Sequence, residues 1–310
     1  MSELPENTTQ TDPKRWRRLF EYVLVRIAVT VFSFVPMSAV SWVGSRIGDL
    51  LRRIDRRHRE RAYAQVKDRL GLEGPDADRF VRDNFRNYGK IMVEFSKLSK
   101  MQPGDIDKHT EYGTIKKHFH DLLAEGNGII IITPHFGNWE WSSSTSRSLG
   151  LTGGAVARPL DNLRVNELVR TIRERNGFRI LDKTGAIRKA LGILKKKGAV
   201  GVLIDQDGGR GGVMSPFLGK PASTMTFPVD LALRTGAPMV VVGCMRRENG
   251  SKRFVLTHRS EPFRVNPDAD RDEEIRRMID ELNAETSRII MQAPEQWLWV
   301  HRRWKTTTGS

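Results

Sequence analysis

A chain of 310 residues is long enough to bury a core without disulfide or metal staples. Its 38% hydrophobic residues and 27 glycines are ordinary for a folded globular protein, which excludes intrinsic disorder as the main state. The 52 lysines and arginines against 37 aspartates and glutamates leave a net charge of +15, a surface drawn to nucleic acid, anionic lipid or an acidic protein. One cysteine, Cys244, excludes a disulfide framework and any multi-cysteine metal site.

Residues 1–18 form a polar lead-in that turns basic at Lys14, Arg15, Arg17 and Arg18. From Ile27 to Val43 there are 17 residues without formal charge, at the lower limit for spanning a bilayer. Pro36 interrupts the run, Trp42 sits near its end, and seven arginines follow between Arg46 and Arg61. Three readings compete. A signal peptide cleaved near Ala39 is opposed by the arginine block behind it. A buried core helix is the second. A membrane anchor, spanning or lying on the surface, suits the basic flanks best. The expectation is therefore a membrane-anchoring segment over 19–60, a catalytic domain over 61–305 held on the cytoplasmic side, and a tail over 306–310.

Beyond the anchor, apolar spacing predicts a helix over 76–100, and GIIIIT (Gly128–Thr133) predicts a buried strand with a helix starting near Asn138. A strand or loop at Gly154–Ala157 precedes a helix over Val165–Asn176 and a short strand at Phe178–Leu181. Ala186–Lys197 reads as a basic amphipathic helix, and GAVGVLID (Gly198–Asp205) as a second buried strand. Phe227–Thr235 reads as helix, Pro238–Met245 as a third buried strand, and Arg253–His258 as an edge strand. A last long helix covers about 270–292. Continuous apolar strands alternating with helices predict an α/β fold, a mostly parallel sheet flanked by helices.

The informative stretch is TPHFGNWE (Thr133–Glu140), directly after the first buried strand. Ligand sites of α/β sheets lie at the carboxyl ends of strands, so His135 stands where chemistry is expected. Glu140, in the first helical turn, is placed to turn back onto the imidazole, making His135 a general base. The bland alternative is a loop histidine bonded to backbone, with Glu140 as a charge favourable to the helix dipole. ARPLDN (Ala157–Asn162) fixes Arg158 at a turn, either a surface turn or a guanidinium for phosphate or carboxylate. DQDGGRGG (Asp205–Gly212) begins like a calcium loop, but Gly209 and Pro216 occupy ligand positions, so calcium binding fails; a paired-aspartate metal site, as in some glycosyltransferases, stays open as an alternative. Asp207 there is a candidate to orient a polar group of the substrate.

Taken together, HFGNWE, ARPLDN, VLIDQDGG, PFLGKPAST, LALRTGAP and APEQWLWVHRRWK resemble, in order and spacing, the bacterial lipid A late acyltransferases, the lauroyl and myristoyl transferases of lipopolysaccharide assembly. The likeness runs over about residues 20–305. Phe227 departs from it, where many members carry a small residue. The resemblance implies transfer of a fatty acyl group from a thioester, on acyl carrier protein or CoA, to a hydroxyl of a phosphorylated lipid at the cell inner membrane. It implies no metal or nucleotide cofactor. His135 would deprotonate the acceptor and Glu140 would orient His135. Backbone groups near Asn138 would bind the oxyanion, Arg158 a phosphate, and Asp207 a sugar hydroxyl.

The basic stretch from Arg188 to Lys197 is a candidate docking face for the acidic carrier, or simply a solvated surface. HRRWK (His301–Lys305) either lies on the membrane or packs against the catalytic domain. Two rivals share these features. An acyltransferase for a lysophospholipid or glycosylated phosphoinositide would draw on acyl-CoA, and a basic nucleic-acid-binding or membrane-adaptor protein would leave His135 idle. The chain has no recognisable nucleic-acid reader motif.

Overall fold

The computed structural model describes residues 15–182 and 185–308. The lead-in up to residue 14 and the last two residues of the tail lie outside the described residues. Two helices come first, α1 (Arg15–Ser33) and α2 (Val40–Ile54), separated by a 3₁₀ turn at Met37–Ala39 and bent by 113° to one another. Pro36 has no N–H with which to extend α1, so the charge-poor run Ile27–Val43 is two helices rather than one. No single helix among the described residues is long and apolar enough to cross a membrane.

Helices α3 (Arg56–Leu70) and α4 (Gly74–Leu98) follow. Glycines let α2 lie directly on α4, since a Cβ on Gly44 would stand 2.5 Å from the Cα of Lys90. Short α5 (Pro103–His109), β1 (Thr110–Glu111) and α6 (Ile115–Ala124) lead into the alternating part of the chain. There β2 (Ile129–Thr133), α7 (Trp139–Ser144), β3 (Gly153–Ala157), α8 (Leu163–Asn176), β4 (Arg179–Asp182), α9 (Ala186–Lys195) and β5 (Ala199–Leu203) succeed one another. A hairpin of β6 (Val213–Phe217) and β7 (Lys220–Thr224) precedes α10 (Phe227–Thr235), β8 (Met239–Arg246), β9 (Phe254–His258), α11 (Arg271–Ile290) and the final turn α12 (Lys305–Thr308).

The main sheet has seven strands in the order β1-β9-β8-β2-β5-β3-β4, parallel except where β8 meets β9. It is the expected α/β fold. The strand at Arg253–His258 is not quite at the edge, because β1, recruited from far upstream, pairs outside it. Alternation along β2 explains why helices cover both faces. Ile130 and Ile132 point into a core shared with α9, α10 and α11, while Ile129 and Ile131 point into one shared with α5, α6 and α8. All four are buried, so the run cannot alternate with polar residues.

Candidate active site

Strands β2 and β5 run side by side and parallel, with Thr133 opposite Leu203 in their last register pair. His135 and Asp205 stand two residues beyond that pair on their respective strands. The register therefore delivers imidazole to carboxylate. Asp205 Oδ1 lies 2.8 Å from His135 Nδ1, and Asp205 Oδ2 accepts the backbone N–H of His135 at 2.7 Å. The indole N–H of Trp297 donates to the same Oδ2 at 2.8 Å.

The Asp205 side chain is 1% exposed and that of His135 15%. Burial by itself would raise the Asp205 pKa. The charge and hydrogen bonds of His135, with the Trp297 donor, outweigh it and hold the carboxyl below its ordinary range. An ionised carboxylate only accepts, so the imidazole proton sits on Nδ1 and Nε2 is the basic nitrogen. The Trp139 ring meets the imidazole edge-on, with centroids 5.1 Å apart.

The loop that turns His135 out of the strand is clamped on both sides. Gly137 donates its N–H to the Gln296 carbonyl at 3.0 Å, and Asn138 donates its own to the Cys244 carbonyl at 2.9 Å. Gly137 has φ +59°, and a Cβ there would come within 1.8 Å of the Cys244 oxygen, so only glycine fits. Asn138 is fully buried. Its Oδ1 accepts the Trp141 N–H at 2.9 Å, capping α7, and its amide donates to Glu94 at 2.7 Å. Glu94 is in turn paired with Arg246 and Arg253. Asn138, expected to face the substrate, instead holds the catalytic loop to α4, and its N–H is already committed.

Glu140 is also placed differently from expectation. Both its oxygens take the Arg173 guanidinium of α8, at 2.9 and 2.5 Å, and Oε1 accepts the Trp139 indole N–H at 3.2 Å. Burial pulls the Arg173 pKa down, but its bonds with Glu140 raise it overall. The partner that orients His135 is thus Asp205; Glu140 reaches the imidazole only through Trp139 while it pins α7 to α8. Five residues of sequence brought Glu140 near, and 70 residues of sequence hid Asp205.

Arg158 emerges exposed from the carboxyl end of β3, on the far side of β5 from β2, about 10 Å away at an inter-strand spacing of about 5 Å. The loop behind it is closed by the Leu160 N–H, which donates to Asn166 Oδ1 at 2.9 Å. Asp207, expected to orient a polar group of the substrate, is half-buried and tied to the C-terminal turn. Its carboxylate accepts the Thr306 hydroxyl at 2.7 Å and the Thr306 N–H at 3.3 Å, fastening the C-terminal turn.

Sequence reasoning singled out the stretches that hold Asp205 and His301 but did not place either beside His135, and it missed Trp297 and Arg173. In the His301–Lys305 stretch Arg303 and Trp304 pack inward against the catalytic domain, while Lys305 is exposed. Arg303 is fully buried and donates to the carbonyls of Gln206 and Ser223 and to Thr224 Oγ1, while Trp304 is 4% exposed. Burial holds Arg303 down at about 10. His301 Nε2 accepts the Asp207 N–H at 3.4 Å. Burial lowers the His301 pKa, opposed by the charge of Asp205 and reinforced by that of His135, which places it in the field of the pair. Among the described residues no three His, Cys, Asp or Glu side chains are grouped to hold a metal ion.

A histidine held by a buried aspartate at the carboxyl edge of a mostly parallel sheet is an arrangement able to activate a hydroxyl for group transfer. Comparison with known proteins says which group. Residues 11–306 match the family described as bacterial lipid A biosynthesis acyltransferase, and the chain belongs to that family. It is similar to the lipid A biosynthesis lauroyltransferase of Escherichia coli (strain K12), 27% identical over 99% of this chain and 97% of that one. It is similar also to the palmitoleoyltransferase of the same strain, 26% identical over 88% and 87%. A phosphatidylinositol mannoside acyltransferase of Mycolicibacterium smegmatis is 25% identical over 61% of this chain and 63% of its own length. The protein is an acyltransferase of lipid A biosynthesis.

Proposed function

We propose that the enzyme moves a fatty acyl chain from an acyl carrier protein thioester to a hydroxyl of a phosphorylated lipid A precursor, at the cytoplasmic side of the inner membrane. The observation that carries the chemistry is the 2.8 Å contact between His135 Nδ1 and Asp205. It fixes the tautomer so that Nε2 takes the acceptor's hydroxyl proton, and Asp205 stabilises the imidazolium that results. The acceptor oxygen bonds to the thioester carbonyl carbon, the C–S bond then breaks, and the imidazolium returns its proton to the departing thiolate. The oxyanion formed between these steps needs donors. The N–H groups of Trp139 and Glu140, which open α7 and have no acceptor within it, are the ones proposed.

Glu140 serves this reaction by locking α7 to α8 through Arg173, and Arg158 grips a phosphate of the acceptor. The exposed cations Arg188, Lys189 and Lys195 of α9, with Lys196 and Lys197 after it, form a basic face suited to an acidic carrier. The similarity to the mannoside acyltransferase favours a second acceptor, a glycosylated phosphoinositide, and the second reading pairs it with acyl-CoA as donor. Purified protein offered each donor with each acceptor separates the two. The proposal expects transfer from the carrier protein thioester to a lipid A precursor, and transfer only from acyl-CoA to a phosphoinositide glycolipid overturns it.

A further inference from the structure

The segment from Trp297 to Thr306 straps the loop that follows β5, and it holds three consecutive residues of that loop. Trp297 donates to Asp205 at 2.8 Å, Arg303 to the Gln206 carbonyl at 2.9 Å, and the Thr306 hydroxyl to the Asp207 carboxylate at 2.7 Å. The strap is itself fixed from α3. There Arg61 donates to the Val300 carbonyl at 2.9 Å and Gln65 to the His301 carbonyl at 2.9 Å. Trp297, Trp299 and Trp304 share the core of α10 and α11, on the face of the sheet opposite Trp141 of α7.

Half-buried in this strap, His301 uses only one of its ring nitrogens there. Nε2 accepts the Asp207 N–H at 3.4 Å, so the proton of the neutral ring is on Nδ1. Among the described residues none bonds Nδ1, and that nitrogen is not closed off from solvent. Burial, the largest influence, lowers the pKa of the ring and favours this neutral form, while the charges of Asp205 and His135 both reach it. Strand order decides what can meet the free N–H. Strand β5 lies between β2, which leads to His135, and β3, which leads to Arg158. An acceptor gripped at Arg158 by its phosphate and at His135 by its reacting hydroxyl passes over the loop after β5, where His301 stands.

We propose that His301 is a further acceptor-binding residue, its Nδ1–H donating to an uncharged oxygen, hydroxyl or carbonyl, of the acceptor lipid between the phosphate at Arg158 and the hydroxyl at His135. The inference rests on the acyl-transfer reading above and adds a third contact to it. His301 moves no proton in the reaction, and Nε2 of His135 remains the base. The polar contact expected of Asp207 passes to this histidine, because Thr306 engages the Asp207 carboxylate. A neutral donor also avoids setting a second imidazolium beside the one that forms at His135 during transfer.

The test is steady-state kinetics of the full chain with the carrier protein thioester and a lipid A precursor, each varied in turn. His301→Phe should raise the acceptor KM about tenfold, with kcat and the donor KM within about twofold of wild type. His301→Asn, whose amide stands near the place of Nδ1, should recover most of the loss. Neither side chain can accept the Asp207 N–H, so the difference between the two variants reads the Nδ1 donor and not the tie to the loop. A fall in kcat with the acceptor KM unchanged, or equal kinetics of the two variants, overturns the proposal. The tautomer gives a readout without substrate. Nuclear magnetic resonance of the His301 ring nitrogens at neutral pH should find the proton on Nδ1, and a proton on Nε2 overturns the proposal. Wild type transferring only to a phosphoinositide glycolipid overturns the lipid A reading and not this one, since the same shift in acceptor KM is then expected with that lipid.

Discussion

Two apolar runs of this chain meet opposite fates. In β2, Ile129–Ile132 are all at or below 9% exposure, wedged between two helical layers. In α1, Ile27 and Val31 are 55% and 57% exposed on the open side of the helix. Both runs lack charge, and hydropathy alone would bury both. The difference lies in what surrounds them. Glycine flanks and a length of five suit β2 to the middle of a parallel sheet, whereas the arginines within α1, at Arg15, Arg17, Arg18 and Arg26, keep its neighbourhood in contact with water or headgroups. A buried run makes a rigid platform for chemistry, and an exposed one is available to a partner.

The platform end is where the largest effects are expected. His135→Ala should lower turnover by about 10²–10⁴-fold with the fold intact, and Asp205→Asn should approach it because the imidazole loses its fixed tautomer. The double variant should be little worse than His135→Ala alone, as for residues acting as one unit, and full activity in folded Asp205→Asn would sink the pairing. Acid titration gives a second check on Asp205. Its folded pKa lies below the ordinary 3.8, so its contribution to stability is present above that value and is lost as pH falls through the folded one. Wild-type protein should therefore lose stability in acid more steeply than Asp205→Asn.

Stability measurements test the contrast between the runs directly. Ile132→Ala should cost about 2–5 kcal/mol in urea unfolding, while Ile27→Ala should stay within about 0.5 kcal/mol. Equal costs would mean that α1 is covered in the folded protein.

Arg158→Ala should weaken acceptor affinity by about 1.5–3 kcal/mol, or roughly ten- to 150-fold. Arg158→Lys should restore only part of it, because an ammonium lacks the planar fork. Titrating acceptor at fixed donor distinguishes this from a role in chemistry, which would lower the maximal rate with the acceptor dependence unchanged. The smallest effect on the platform belongs to Trp297→Phe, at about tenfold in turnover. Without the indole donor the buried Asp205 carboxylate loses one of the bonds that hold its pKa down, so the stability it contributes should be lost at a higher pH than in wild type. An unchanged acid-stability profile would make Trp297 a packing residue only.

Much of this was legible in order along the chain. The strands β2, β5 and β8, the helices α4, α8, α10 and α11, and the position of His135 after a buried strand all follow from apolar period and glycine flanks. The family likeness followed from motif order. The partner of His135 did not. TPHF and LIDQ each place a polar residue two positions past the end of a buried strand, and that signal was present in the sequence. Only the adjacency of β2 and β5 gives it meaning, and 70 residues with two intervening strands separate the pair. Glu140 was nearer in sequence, but a half-buried arginine from α8, Arg173, claims it.

By itself, then, the sequence determined the local elements, the break at Pro36, the basic character and the family, because each depends on residues close together or on motif order. Tertiary structure alone decided which carboxylate meets His135, that Asn138 and Asp207 fasten loops, that Arg303 and Trp304 pack inward, and that α1 packs against α8. Those outcomes depend on strand order and register, which bring distant residues within 3 Å and leave close ones apart.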